Sequence, residues 1–185
     1  MKYHWIMWGM LTACGGGGAG GETAPAGFVG VHDEVTGLGV TPAGDLPTQG
    51  SAAYAGLIQL DLPIDGTAQT FEGAFDVTLG FDAGGTPVTG SVTDLASDAI
   101  SLTGTLQIDN GAMNPGAVPS LDYQFTANIG GAVDEGGTIY SIDGTVAGDF
   151  YGAQWEGIAG VVFGDITQGV AVDIFDGTFV GQQAP

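Results

Sequence analysis

Cationic residues are all but missing from this sequence. Lys2 is the one Lys or Arg in 185 residues, against 21 Asp and Glu. Nucleic-acid affinity comes largely from Lys and Arg displacing phosphate counterions, so nucleic acid is excluded as a direct partner, and anionic lipid headgroups with it. Cysteine occurs once, at Cys14, which permits no internal disulfide. Histidine occurs twice, at His4 and His32, leaving one imidazole for any chemistry beyond the amino terminus. No apolar run approaches the roughly 18 to 20 residues that a membrane-spanning helix needs. What the chain does have is 36 glycines and a hydrophobic content of 44%. That content is too apolar for an acidic disordered tail, and the length suits a single domain that can bury roughly two-thirds of its unfolded surface.

The first thirteen residues read as a targeting segment. Lys2 precedes the apolar run Trp5-Ile6-Met7-Trp8-Gly9-Met10-Leu11, and small residues follow, the pattern of a short secretory signal over residues 1–13. Leu11-Thr12-Ala13-Cys14 resembles the bacterial lipobox, whose cysteine is diacylglycerylated and becomes the new first residue. Cys14 is therefore the expected lipidation site, and acyl chains there would add membrane affinity of about 0.8 kcal/mol per buried methylene. Residues 14–26, opening with Gly15-Gly16-Gly17-Gly18-Ala19-Gly20-Gly21, read as a flexible tether. Gly15 in place of Asp after the cysteine resembles the sorting pattern of Gram-negative outer-membrane lipoproteins. The membrane is thus met only through the lipid anchor.

The body of the chain reads as strands. Alternation with a period of two places Tyr54, Gly56, Ile58, Leu60 and Leu62 on one face, as it does Phe71, Gly73, Phe75, Val77, Leu79 and Phe81. Ile100, Leu102, Gly104, Leu106 and Ile108 form a third such set, and Leu121, Tyr123, Phe125, Ala127 and Ile129 a fourth. Weaker alternation over Val88–Asp94, Thr138–Ala147, Ile158–Gly164 and Val170–Val180 brings the count to about eight. Turn signals stand at Asp65-Gly66, Gly84-Gly85, Asn110-Gly111, Asn114-Pro115-Gly116, Gly130-Gly131 and Gly136-Gly137. No helical periodicity is apparent. The expected fold is all-β, an eight-stranded antiparallel up-and-down β-barrel over residues 51–185 with a core filled by side chains. Residues 27–50 are expected to form an arm or an extra strand. A membrane barrel would show the same alternation with its apolar face outward. It would, however, enclose Glu72, Asp76, Gln107, Asp109 and Asp122 in a lumen with no cation, so the polar face is expected outside.

The carboxyl half carries a family likeness. Gly148-Asp149-Phe150-Tyr151-Gly152 looks like a Gly-x-Phe-Tyr-Gly motif, and the next eight residues match that motif's usual continuation at Glu156 and Gly160. Phe163 and then Asp176-Gly177-Thr178-Phe179-Val180-Gly181 are similar to a closing strand ending Gly-x-Phe-x-Gly, and Tyr54-Ala55-Gly56 and Val88-Thr89-Gly90 fit earlier strands. Together they resemble the eight-stranded barrel of transferrin-binding protein B and related Gram-negative surface lipoproteins. The chain departs from that pattern at Ala153, where Pro is usual, and at Trp155, where a small residue is usual. The resemblance implies a lipid-anchored binding barrel at the outer membrane, facing the cell surface or the periplasm, with an outer-membrane receptor or surface-export protein as an associate. Residues 27–50 leave little room for the handle domain of the full-length receptors, so transferrin capture is not implied.

The candidate sites are few. His32-Asp33-Glu34 sets an imidazole beside carboxylates, but neighbours on an extended segment point to opposite sides and do not converge on one metal ion. A triad would need that same histidine with a nucleophile elbow, which is absent, so no catalytic residue is assigned and an enzyme is not expected. Sixteen of the 21 acids are Asp, a hard-oxygen composition that suits calcium, yet neither an EF-hand loop nor a glycine-aspartate repeat is present. No motif implies a cofactor. Phe150, Tyr151 and Trp155 form the densest aromatic group and are expected to plug one end of the barrel. The functional expectation is a non-catalytic binding module for an unidentified protein ligand, the acidic charge favouring one with a basic surface. Alternatives from other classes are a structural or protective acidic surface lipoprotein, or a small-ligand carrier barrel.

Overall fold

A computed structural model of the chain describes residues 27–82, 88–118 and 121–184. Eight antiparallel strands close into a barrel in chain order: β1 (Ser51–Ile64), β2 (Thr67–Gly80), β3 (Val88–Ala96), β4 (Thr103–Met113), β5 (Phe125–Glu135), β6 (Thr138–Tyr151), β7 (Gly157–Gln168) and β8 (Ala171–Gln183). β8 returns to β1 over Tyr54↔Gln183 to Asp61↔Asp176, so the up-and-down meander is sealed. The expected fold class is the observed one. Asp65-Gly66 and Gly136-Gly137 each join strands as two-residue hairpins with positive φ at both positions, the geometry that matches the right-handed twist of the strands they connect.

The interior is filled. Tyr54, Ile58, Leu60, Leu62, Phe71, Phe75, Leu79, Leu106, Phe125, Ile129, Tyr140, Phe150, Val162, Phe175 and Phe179 all belong to one buried cluster contributed by strands around the whole barrel. Inward glycines make room for the rings. Gly148 pairs with Gly160 across β6 and β7, and a Cβ at either would come within 2.6 and 2.8 Å of the Phe179 ring; the pair Gly144 and Gly164 seats Phe175 in the same way. Phe179 stacks on Phe75 with centroids 4.7 Å apart. The opposite face of the wall is polar: Asp61, Asp76, Thr78, Gln107, Asp143, Asp165 and Asp176 are exposed. That distribution is the inverse of a lipid-facing barrel, which carries an apolar band outside. No helix among the described residues is long and apolar enough to cross a membrane.

The sequence reading is corrected in four places. First, residues 28–37 of the expected arm form a helix, α1 (Phe28–Gly37), where the sequence showed no helical periodicity. Phe28, Val31 and Val35 make an i, i+3, i+7 stripe that packs on the outside of the barrel against Ala159, Val180 and Leu57. Ten residues are too few for an autonomous helix in water, so this docking supplies the stability that its glycines and β-branched residues withhold. It ends where Gly39, at φ +79, donates to the Thr36 carbonyl. A single turn of 3-10 helix follows at Ala43–Asp45.

Second, Asn110-Gly111 is no hairpin turn but lies within β4, where the register to β5 shifts between Asp109 and Ala112 and Asn110 takes φ 50. A bulge uses the same left-handed residues as a tight turn, hence the ambiguity. Third, Gly130-Gly131 continues β5 without a break. Fourth, β5 begins at Phe125, leaving Leu121 and Tyr123 exposed while Gln124 is buried.

Candidate binding surfaces of the barrel wall

The arm that leads from α1 into the barrel is latched by its polar groups. β6 runs past its last pairing with β5 at Phe125↔Gly148, so Asp149 to Tyr151 overhang that neighbour. The arm and Gln124 fill the gap. Thr41 donates its backbone N–H to the Phe150 carbonyl at 2.8 Å and its hydroxyl to the Gly152 carbonyl at 2.6 Å. The Gln124 amide donates to the Thr41 carbonyl and accepts from the Phe150 N–H, both at 2.7 Å. Thr41 and Gln124 are the buried polar residues of the described chain, and each is satisfied, which is why burying them is tolerable.

Aromatic side chains close this same end of the barrel. Phe150 is wholly buried among Tyr54, Phe81 and Phe125, with centroids 5.5 to 6.0 Å away. Trp155 is half-buried edge-on to Phe81, and Tyr151 is half-buried beside α1. Phe150 and Trp155 form the expected plug, whereas Tyr151 lies on the outside of the wall against α1. Tyr54 donates its hydroxyl to the Trp155 carbonyl at 2.8 Å, and burial, with the Glu156 charge adding to it, pushes the phenol well above its ordinary range. Nothing in the plug presents a nucleophile with a base.

The remaining sequence candidates separate. His32, Asp33 and Glu34 fall on α1, about 100° apart in turn, and His32 stacks on Phe28 at 5.6 Å. Among the described residues no group of three or more His, Cys, Asp or Glu is gathered closely enough to hold a metal ion. Cys14, the signal segment of residues 1–13, the tether of residues 14–26 and the Gly84-Gly85 turn lie outside the described residues.

Described residues of the outer wall line several depressions. One, about 640 Å³, lies over β1 and β2 beside the β3–β4 connection, where Gln59, Thr70 and Glu72 face Ser97 and Asp98. A second, about 250 Å³, crosses β1 to β3 between Tyr54, Asp76 and Ser91. A third, about 170 Å³, is bounded by Leu121, Asp122, Tyr123 and Asp149, and burial raises the Asp149 carboxyl above its usual range although the Gln124 N–H, donating to it at 3.1 Å, pulls the other way.

A different surface has no equivalent in the sequence reading. On β8, Val172 and Ile174 point outward and are exposed, and Phe163 of β7, Ile139 of β6 and Val170 of the β7–β8 turn are exposed beside them. The signal was present in Val170–Val180, whose alternation is weak because apolar residues occupy both of its faces. No protein-family description and no curated protein sequence matches the chain.

Proposed function

We propose that the chain is an outer-membrane lipoprotein of the transferrin-binding-protein type, anchored by acyl chains on Cys14 and facing the cell surface or the periplasm. Its barrel is a non-catalytic module that binds a protein partner by its outer wall. The observation that carries this reading is the filled interior: side chains from all around the barrel occupy the space in which a lipocalin-like carrier would hold its ligand. Recognition is left to the exterior, which bears carboxylates and, beyond Lys2, no Lys or Arg. Such a surface attracts a basic partner over distances up to about a Debye length.

The test immobilises the full chain and challenges it with the fluid in which the cell lives, across a series of salt concentrations. A basic protein retained at low ionic strength and released between about 0.05 and 0.5 M salt is expected. Retention indifferent to salt, or no saturable retention, overturns the reading, the latter in favour of an acidic coat. The anchoring is checked separately: Cys14→Ser is expected to move the protein out of the membrane fraction, and unchanged fractionation would remove Cys14 from its assigned role.

A further inference from the structure

The outer face of β7 and β8 carries apolar residues towards both of its ends, and only those at one end are covered. Towards the plugged end, Ala159 and Val180 lie beneath α1. Towards the β7–β8 turn nothing in the described chain covers Phe163, Val172 and Ile174, which are 50%, 65% and 76% exposed, with Val170 and Ile139 bare beside them. The register interleaves these residues with carboxylates, Phe163 facing Asp176 directly. Ile174 faces Asp165 and Val172 faces Thr167, so Ile174 lies diagonal to Phe163 on the same face. Scattered exposed apolar residues are ordinary, but five gathered at one end of one wall mark an interaction surface.

Asp165 and Asp176, which stand among these apolar residues, each meet a second carboxylate on the neighbouring strand. Asp143 on β6 stands directly opposite Asp165 on β7, and Asp176 on β8 directly opposite Asp61 on β1, all four outward and exposed. Like charges directly opposed across a sheet are unfavourable, and the chain has no cation beyond Lys2 to relieve them. The Asp61↔Asp176 pair is also the last between β1 and β8. Pro63, which lacks an N–H, comes two residues later, and β8 from Ala171 to Phe175 pairs with β7 alone.

We infer that this half-face docks a segment of a partner protein in which apolar residues are interspersed with Lys or Arg. The apolar residues cover Phe163, Val172 and Ile174, and the cations lie against the Asp143/Asp165 and Asp61/Asp176 pairs. A second copy of the chain fits poorly, since it would bring a formal charge of −20 against −20. An anionic membrane is repelled by the same carboxylates. The inference rests on the reading of the barrel as a protein-binding module and assigns that module its surface.

The test uses isotope-labelled full-length protein and a synthetic nine-residue peptide of alternating Val and Lys, with Val/Glu and Ser/Lys peptides as comparisons. The Val/Lys peptide is expected to shift, saturably, the backbone amide signals of Phe163, Asp165 and Val172 to Asp176. The two comparison peptides are expected to bind at least about tenfold more weakly. Ile174→Ser and Phe163→Ser should each weaken the Val/Lys peptide about tenfold with an unchanged melting temperature. Asp61→Asn with Asp176→Asn should flatten its salt dependence.

Shifts centred elsewhere on the barrel, equal binding of Ser/Lys, or full affinity in both serine variants would overturn the docking face. So would sedimentation showing a dimer that Ile174→Ser dissolves, since a second copy would then be the occupant. A basic partner captured equally well by the chain and by the Phe163→Ser, Ile174→Ser double variant would overturn the face while leaving the binding-module reading intact.

Discussion

The two halves of the β7–β8 outer wall are built from different side chains. Under α1 the wall is made of small groups: Gly157, Ala159 and Val180. A Cβ at Gly157 would come within 2.6 Å of Val35, so the helix sits close enough to exclude any larger residue. The bare half instead projects Phe163, Val172 and Ile174. A covered surface is recessed where its cover is always present, since the two are packed at interior density. The uncovered half has knobs without holes, the relief expected of a surface whose complement is carried by another molecule. The overhanging strand ends differ in the same sense. β6 beyond Gly148 is met by the arm and by Gln124, whereas β8 before Asp176 has no partner on its β1 side among the described residues.

The largest effect is expected where one residue supports both halves from within. Phe179 lies inside β8, stacked on Phe75, near Phe125 and seated on Gly148 and Gly160. Phe179→Ala should lower the unfolding free energy by about 3 to 5 kcal/mol, because the ring's contacts are lost and its glycine seat cannot close the cavity. Urea unfolding followed by tryptophan fluorescence measures this; a loss below about 1 kcal/mol would mean that the core is not packed as described.

A matched pair of truncations then sets one half against the other. Val35, on the underside of α1, is wholly buried, and Ile174 is mostly exposed. Val35→Ala should cost about 1 to 2 kcal/mol and raise amide exchange throughout α1. Ile174→Ala removes more carbon but should change stability by no more than about 0.5 kcal/mol. Equal costs for the two would show that the lower half is covered in the free protein, and the contrast would then fail.

Most of the barrel could be read from residue order because each wall strand answers to a local rule. In β1 and β2 the odd-even rhythm of Tyr54 to Leu62 and Phe71 to Leu79 is the burial pattern itself. What escaped depends on distant partners. Gln124 falls on the polar side of its alternating run, yet it is the buried residue, because Thr41, 83 positions away, reaches it through the arm. Leu121 and Tyr123, on the apolar side of that run, are exposed because β5 has not yet begun. α1 escaped because its stripe is only Phe28, Val31 and Val35 among glycines, and its helicity comes from the wall it lies on. The docking face escaped for the opposite reason: an alternation rule assigns apolar residues to one side of a strand, and β8 carries them on both.

The smallest effect sharpens the comparison at the covered end. Asp149 is outward on β6, half-buried near the arm, and desolvation raises its carboxyl above the ordinary range against the opposing pull of the Gln124 N–H. A carboxyl whose folded pKa is raised favours the folded state below its unfolded pKa, and that advantage is lost as the pH rises through the folded value. The native protein should therefore give up a little stability between about pH 4 and neutrality at this site. Asp149→Asn keeps an oxygen to accept from Gln124 while removing the charge. It is expected to match the native protein near pH 3.5 and to exceed it slightly at pH 7, read as the difference between the two urea midpoints across that interval. A variant weaker than the native protein at pH 7 would mean that the charge itself helps to hold the latch, and that the arm closes the β6 overhang by electrostatics as well as by the Thr41 and Gln124 hydrogen bonds.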